Sequence, residues 1–68
     1  MPDTSAGYVL LRQGEQPDPT KERPFQQAAA AFLKGVAADP LLQLHDLATG
    51  LSYSAADSDV VRMVYFSH

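Results

Sequence analysis

The sequence contains no cysteine among its 68 residues. This absence excludes disulfides, zinc sites with cysteine ligands and iron–sulfur clusters, which often supplement the small core of a domain of this size. Only two histidines, His45 and His68, could supply nitrogen ligands, and they lie far apart in the sequence. We therefore expect no metal and no cofactor, and a core that is marginal without a further contact.

Positive charge is also scarce, since five Lys and Arg stand against eight Asp and Glu and give a formal net charge of −3. A surface that follows nucleic-acid phosphates needs clustered Lys and Arg, so we expect no nucleic acid as a partner. No apolar run approaches the roughly 18 residues of a membrane span, and the N-terminus lacks the pattern of a signal peptide. The expectation is a soluble, acidic protein in the cytoplasm or within a macromolecular assembly, with no membrane partner and no secretion signal of its own.

Isoleucine and asparagine are missing, whereas alanine occurs ten times. The missing residues have AT-rich codons, so the composition indicates a GC-rich bacterial or phage gene.

The first half of the chain contains a strand pattern, a proline-rich segment and a helix pattern. The apolar run Tyr8–Arg12 lies between Gly7 and Gly14, which predicts a strand bounded by turns. Residues 13–24 contain three prolines and lack apolar anchors, so they are predicted to form an extended Pro-rich loop. An alanine-rich amphipathic helix is predicted over about 24–37, because its apolar residues recur at helical spacing: Phe25, Ala28, Ala29, Phe32, Leu33 and Val36.

Residues 40–50 support two incompatible interpretations. As a short helix, the segment has Asp39 as its N-cap, Pro40 in its first turn and Gly50 just after its end. As a hairpin, residues 42–46 alternate and the following residues form a turn with Gly50 in the left-handed conformation. The caps at both ends favour the helix slightly.

The segment Val60–Phe66 is β-branched and aromatic, which predicts a C-terminal strand. Both of its faces are apolar apart from Arg62. A strand of this kind needs cover on both sides, and a chain with one or two helices provides it with difficulty. Left as an open edge, the segment would promote aggregation, so we expect a partner or a second copy of the chain to contact it.

These patterns together predict an α+β fold in one small domain spanning residues 1–68. One alanine-rich helix packs on a short antiparallel sheet, and a second short helix or hairpin forms at 40–50.

No catalytic pattern emerges from the polar residues. His45 and Asp46 are an adjacent base and acid, but consecutive side chains point in different directions on a helix or a strand. The run Asp57–Asp59 is better explained as a solvated turn, or as the N-cap of a C-terminal helix, than as a calcium loop. The serines lack a nucleophile-elbow context and the glycines are too dispersed for a phosphate loop. We therefore predict no catalytic, metal or cofactor-binding residues.

The seven residues Leu44–Gly50, when a hairpin follows them, resemble the end of the first helix and the start of the hairpin in the phage lambda-type head–tail joining proteins. The likeness covers about a tenth of the chain. The second helix and the basic tail of that family have no counterpart among the predicted elements. The resemblance implies a role in a virion or another assembly.

The predicted function is that of a non-enzymatic structural or adaptor protein, a subunit of a larger bacterial or phage assembly that associates with another protein or with copies of itself. The alternative is a small acidic regulator or inhibitor that binds an enzyme reversibly. Substituting Val64 by Asp is expected to abolish assembly. The predicted interface residues are Phe25, Phe32, Val64, Tyr65 and Phe66.

Overall fold

A computed structural model describes residues 7–67 of the chain. Residues 1–6 and His68 lie outside the described residues. The prediction that the N-terminus lacks a signal peptide therefore falls outside the described residues. Single turns of 3-10 helix occur at Pro19–Lys21 and Ala55–Asp57. Within the described range the regular elements are β1 (Tyr8–Arg12), α1 (Phe25–Gly35), β2 (Leu42–Asp46), β3 (Ser52–Tyr53) and α2 (Ser58–Phe66).

The three strands form one antiparallel sheet in the order β1-β2-β3. Leu44 at the centre of β2 stands opposite Leu10 of β1 and Tyr53 of β3. Both helices pack on this small sheet, so the predicted α+β fold is confirmed. The predicted strand at Tyr8–Arg12 is also confirmed, and α1 falls within the predicted range of about 24–37.

The core lies between the helices and the sheet. Phe32 of α1 and Leu44 of β2 are its largest fully buried side chains. Ala28 and Ala29 are also completely buried, and their small side chains let the neighbouring elements approach α1 closely. Val61 is the buried residue that α2 contributes to this cluster. The spacing of the α1 residues therefore identified the core-facing side of that helix correctly.

The Pro-rich loop has a structural role that the sequence did not indicate. Val9 and Leu11 are buried although they lie outside the main cluster, because alternate residues of β1 point to the sheet face away from the helices. Residues of the loop lie beside them on that face. The loop then returns along β1, where Tyr8 and Arg23 exchange two backbone hydrogen bonds of 2.8 Å. A Cβ on Gly7 would lie 2.7 Å from the Arg23 carbonyl oxygen, so glycine permits this return.

Residues 40–50 form part of a hairpin, so the helical interpretation of this segment is wrong. The Asp39 carboxylate does accept a hydrogen bond from the Leu41 N–H, as an N-cap would, but the chain continues into β2. At the other end, Asp46 Oδ1 accepts hydrogen bonds from the backbone N–H groups of Ala48 and Thr49. Gly50, with φ +79°, completes the turn that leads to β3. Both cap signals therefore belong to turns.

The predicted strand at Val60–Phe66 is also wrong, because this segment lies within the helix α2. Its start is fixed locally: Asp57 Oδ2 accepts hydrogen bonds from the Ser54 N–H, at 2.9 Å, and from the Ser54 hydroxyl, at 3.3 Å. The chain is thereby already in a helical turn when it reaches Ser58. Packing of α2 against α1 then outweighs the β-propensity of the valines, which is a weak preference. The interpretation of Asp57–Asp59 as the start of a C-terminal helix is the one that the structure supports.

The residues that resemble the head–tail joining proteins lie in different secondary-structure elements from those of that family. Leu44–Gly50 covers the end of β2 and the following turn, not the end of a helix. A helix does follow the hairpin, contrary to the expectation from the sequence.

Candidate functional site

Four large apolar side chains of α2 are exposed to solvent. Val60, Met63 and Val64 are 53%, 71% and 40% exposed, and Phe66 is 74% exposed. The spacing of the first three, at i, i+3 and i+4, places them next to one another on the helix surface. We call these four side chains the outer face of α2.

The opposite side of α2 contacts the rest of the molecule. Val61 is buried and Tyr65, one turn later, is half-buried against the core cluster. Apolar residues therefore occur on both sides of this helix, a pattern found in helices that are buried all round. Here only one side is covered by the chain itself.

A small apolar groove lies beside the outer face. Its volume is about 110 Å³. Val60 and Val64 belong both to the groove and to the outer face, so the two form one continuous surface. The ring of Tyr8 meets that of Phe25 edge to face, with centroids 5.2 Å apart. The groove is lined by Tyr8, Phe25, Leu44, Tyr53, Val60, Val61 and Val64.

The charged residues of α2, Asp59 and Arg62, border one side of this surface. They precede Met63 and Phe66 by one helical turn and are exposed. Phe66 packs edge to face on Tyr65, with centroids 5.0 Å apart, which restricts its ring in the exposed position. The part of the outer face formed by Val60 and Val64 carries no charge.

The structure separates the five predicted interface residues into three groups. Phe25 and Val64 line the groove together, although 39 positions separate them in the sequence. Tyr65 is half-buried and Phe66 is exposed. Phe32, in contrast, is 0% exposed, so its side chain serves the core and is not available to a partner.

Two residues of the outer face, Val60 and Met63, were not among the predicted ones. The strand interpretation placed Val60 with Val64 on one face and Met63 on the other. The helical start signal at Ser54–Asp57 would have corrected this, because on a helix the three residues are neighbours.

Tyr8 connects the groove to the hairpin. Partial burial raises the pKa of its phenol above the ordinary value of 10.0, and the nearby Asp46 and Tyr53 raise it further, as does a hydrogen bond between Tyr8 and Asp46. All four causes favour the neutral phenol in the folded state. At neutral pH the uncharged ring of Tyr8 therefore forms one wall of the groove, and its hydroxyl is hydrogen-bonded to Asp46.

This shift predicts a loss of stability at alkaline pH. Because the folded-state pKa exceeds that of the unfolded chain, the contribution of Tyr8 is complete below about pH 10 and is lost as pH rises through the folded-state pKa. Urea unfolding at a series of pH values should show this decline in the wild type and a smaller one in Tyr8→Phe. Identical alkaline slopes in the two proteins would show that Tyr8 is not the group responsible.

A second polar feature lies on the sheet face away from the helices. His45 Nδ1 and Ser52 Oγ are 2.7 Å apart across β2 and β3. The Asp46 carboxylate points away from this pair, because it accepts hydrogen bonds from the turn backbone and from Tyr8. The side chains of His45 and Asp46 therefore diverge, as predicted. The Ser–His pair is exposed and receives no carboxylate from Asp46.

A polar cleft of about 340 Å³ lies between β1 and the Pro-rich loop. Its two carboxylates already have hydrogen-bond partners, one at the end of β1 and one within the loop. Glu15 Oε1 accepts from the Arg12 N–H at 2.7 Å, and Asp18 Oδ1 accepts from the N–H and the hydroxyl of Thr20. The bonds from Thr20 lower the pKa of Asp18. These contacts account for the shape of the loop.

Among residues 7–67, no group of three or more His, Asp or Glu side chains is arranged to hold a metal ion. No helix in the same range has both the length and the apolar composition needed to cross a bilayer. Comparison of the chain with protein-family models, with curated proteins and with solved structures gives no significant match.

Proposed function

We propose that this protein is a non-enzymatic structural or adaptor component that associates with another protein chain through the outer face of α2 and the adjoining groove. The single observation that carries the proposal is the exposure of Val60, Met63, Val64 and Phe66 on one short helix.

The size of the surface supports the proposal. From their exposed fractions, the four side chains offer on the order of 400 Å² of apolar surface. That is comparable to the largest apolar patch on a typical monomer, and such patches are often functional. Here it occurs on a chain of only 68 residues. Contact with a partner would remove this surface from water at a favourable free energy.

The residue types also suit a contact surface. Methionine and aromatic residues are enriched in protein interfaces, and Met63 has an unbranched side chain that adapts to the shape of a partner. Binding energy usually concentrates where a protruding side chain fills a desolvated pocket. The groove between Phe25, Tyr53 and Val64 offers such a pocket next to the exposed side chains.

Charge and composition bear on the class of partner and on the setting in which the chain works. The net charge of −3 opposes an extended contact with nucleic acid, so the partner is a protein. A larger bacterial or phage assembly is the setting we propose, because the composition indicates a GC-rich gene and one side of α2 is left uncovered.

The test is recovery of partner chains from the cells that encode the protein. Tagged wild type and tagged Met63→Asp are isolated under native conditions, and co-isolated chains, including untagged copies of the protein itself, are quantified by mass spectrometry. We expect Met63→Asp to reduce the recovered partner more than tenfold, because a carboxylate cannot be buried unpaired in an apolar contact.

Gln27→Asp is the matched control, since it places the same carboxylate at an exposed position of α1 on the side away from the core. This variant should recover the partner as the wild type does. Equal recovery by Met63→Asp and the wild type would contradict the proposed surface.

A further inference from the structure

We propose that the chain bound to the outer face of α2 is a second copy of this protein, related to the first by a two-fold axis that brings the two α2 helices together. In this arrangement Met63 of each copy enters the groove of the other. The inference rests on the proposed function and specifies its partner.

The outer face of α2 and the adjoining groove are complementary to each other. A two-fold contact uses the same patch on both chains, so a residue that protrudes from one copy must fit a recess on the same patch of the other. Met63 protrudes, with 71% of its surface exposed. It lies directly beside Val60 and Val64, which line the recess. A protrusion and a recess are thus adjacent on one face.

The size of the groove matches a methionine side chain. The groove has a volume of about 110 Å³. Because a protein cavity of about 150 Å³ admits benzene, with six non-hydrogen atoms, the groove has room for roughly four such atoms. A methionine side chain has four such atoms beyond its Cα. The flexible, unbranched chain of Met63 can therefore fill the recess without a change in the backbone.

The distribution of charge on α2 also suits a contact between two copies. Two copies each carry a formal charge of −3, so their contact must keep like charges apart. Val60, Met63 and Val64 present an uncharged centre for the contact. On a helix with 3.6 residues per turn, Arg62 lies about 160° around the axis from both Val60 and Val64. The two arginines would therefore point away from the centre of the interface, and Asp59, about 100° from Val60 and about 140° from Val64, would lie at its border beside Met63.

The apolar area of the outer face is close to what a stable dimer buries. Stable protein–protein contacts bury about 800 Å² on each partner, and about 60% of that surface is apolar. The outer face, with Phe66 at its border, offers on the order of 400 Å² of apolar surface. This area approaches the apolar part of such a contact. The groove walls supplied by Tyr53 and Phe25 add to it. A two-fold contact centred on α2 thus has the dimensions of a specific dimer.

The test uses the isolated full-length chain in sedimentation equilibrium from about 1 μM to about 1 mM. We expect the wild type and Gln27→Asp to form dimers at the upper end of this range. Met63→Asp should remain a monomer with an unchanged circular dichroism spectrum, because its side chain is not part of the core. A wild type that stays monomeric throughout, or a Met63→Asp dimer as stable as that of the wild type, would overturn the inference.

Single introduced thiols locate the contact, because the chain has no cysteine of its own. Met63→Cys and Val60→Cys chains are mixed and oxidised. A disulfide between two chains requires Cα atoms within about 7 Å, so we expect the mixed pair to cross-link. Lys34→Cys, exposed on α1, should not cross-link with Met63→Cys. Cross-linking of the Lys34→Cys pair instead would place the interface elsewhere and overturn the inference.

The two proposals fail separately. If the isolated chain is monomeric and Met63→Asp still prevents recovery of a different protein from cells, the second copy is not the partner, but the outer face remains the contact surface. If Met63→Asp changes neither measurement, both proposals are wrong.

Discussion

Phe32→Ala is expected to leave a large fraction of the protein unfolded at 25 °C. The side chain is completely buried among Ala28, Ala29, Leu44 and Val61. Truncating a buried phenylalanine to alanine costs about 3–5 kcal/mol, because apolar contacts are lost and a cavity remains. A core in a chain of this length supplies roughly 3–5 kcal/mol of stability in total. The substitution therefore removes a large part or all of the free energy of unfolding.

Phe66→Ala is the matched control, since it makes the same chemical change at a position that is 74% exposed. We expect it to alter the free energy of unfolding by less than about 0.5 kcal/mol, as surface substitutions usually do. Urea unfolding followed by circular dichroism measures both variants. Equal destabilisation by the two substitutions would mean that the folded chain buries Phe66 as deeply as Phe32.

Val61→Asp should have the second large effect on folding, whereas Met63→Asp should have almost none. Val61 is buried between α2 and the core, so an aspartate there would be an uncompensated buried charge, at a cost of about 3–5 kcal/mol. Met63 is exposed on the outer face, where a carboxylate remains in water. Thermal unfolding of the two variants provides the comparison.

This pair also tests the helical conformation of the segment. Residues 61 and 63 would share a face on a strand, and both substitutions would then have similar effects. On a helix they lie about 160° apart, so one is buried and the other exposed. Similar stability losses for Val61→Asp and Met63→Asp would contradict the assignment of α2 as a helix.

The strand β1 and the helix α1 could be predicted from the sequence because their signals are local and unopposed. Glycines flank the apolar run at Tyr8–Arg12, and Pro24 precedes an apolar face of helical period. The same period identified Phe32 as a residue of the apolar side. It did not distinguish the core from an interface, since that difference depends on what β2 and α2 place over the side chain.

The hairpin could not be decided locally. Asp39 and Gly50 are suited to the ends of a helix and also to turns, and in the folded chain both are turn residues. What selects the strand is the pairing of β2 with β1, from Tyr8 opposite Asp46 to Arg12 opposite Leu42. The ion pair between Arg12 and Asp39, at 2.7 Å, is found at the same end of this pairing. These partners lie 27 to 38 positions apart in the sequence.

The segment Val60–Phe66 shows how a correct observation can support a wrong element. Its residue types favour a strand, but the Ser54–Asp57 turn starts a helix and α1 provides a surface for it. The observation that both sides are apolar does not depend on the element. It holds for α2, in which Val61 is covered and Met63 is not.

The most direct test of the central claim, that the outer face of α2 is covered when the protein associates, is the rate at which peroxide oxidises Met63. Oxidation of methionine to its sulfoxide requires access to the sulfur. We compare Met63 in the isolated, dilute chain with Met63 in the complex recovered from cells, by mass spectrometry of the peptide that contains it. The account predicts oxidation at least tenfold slower in the complex. Equal rates in the two samples would contradict it.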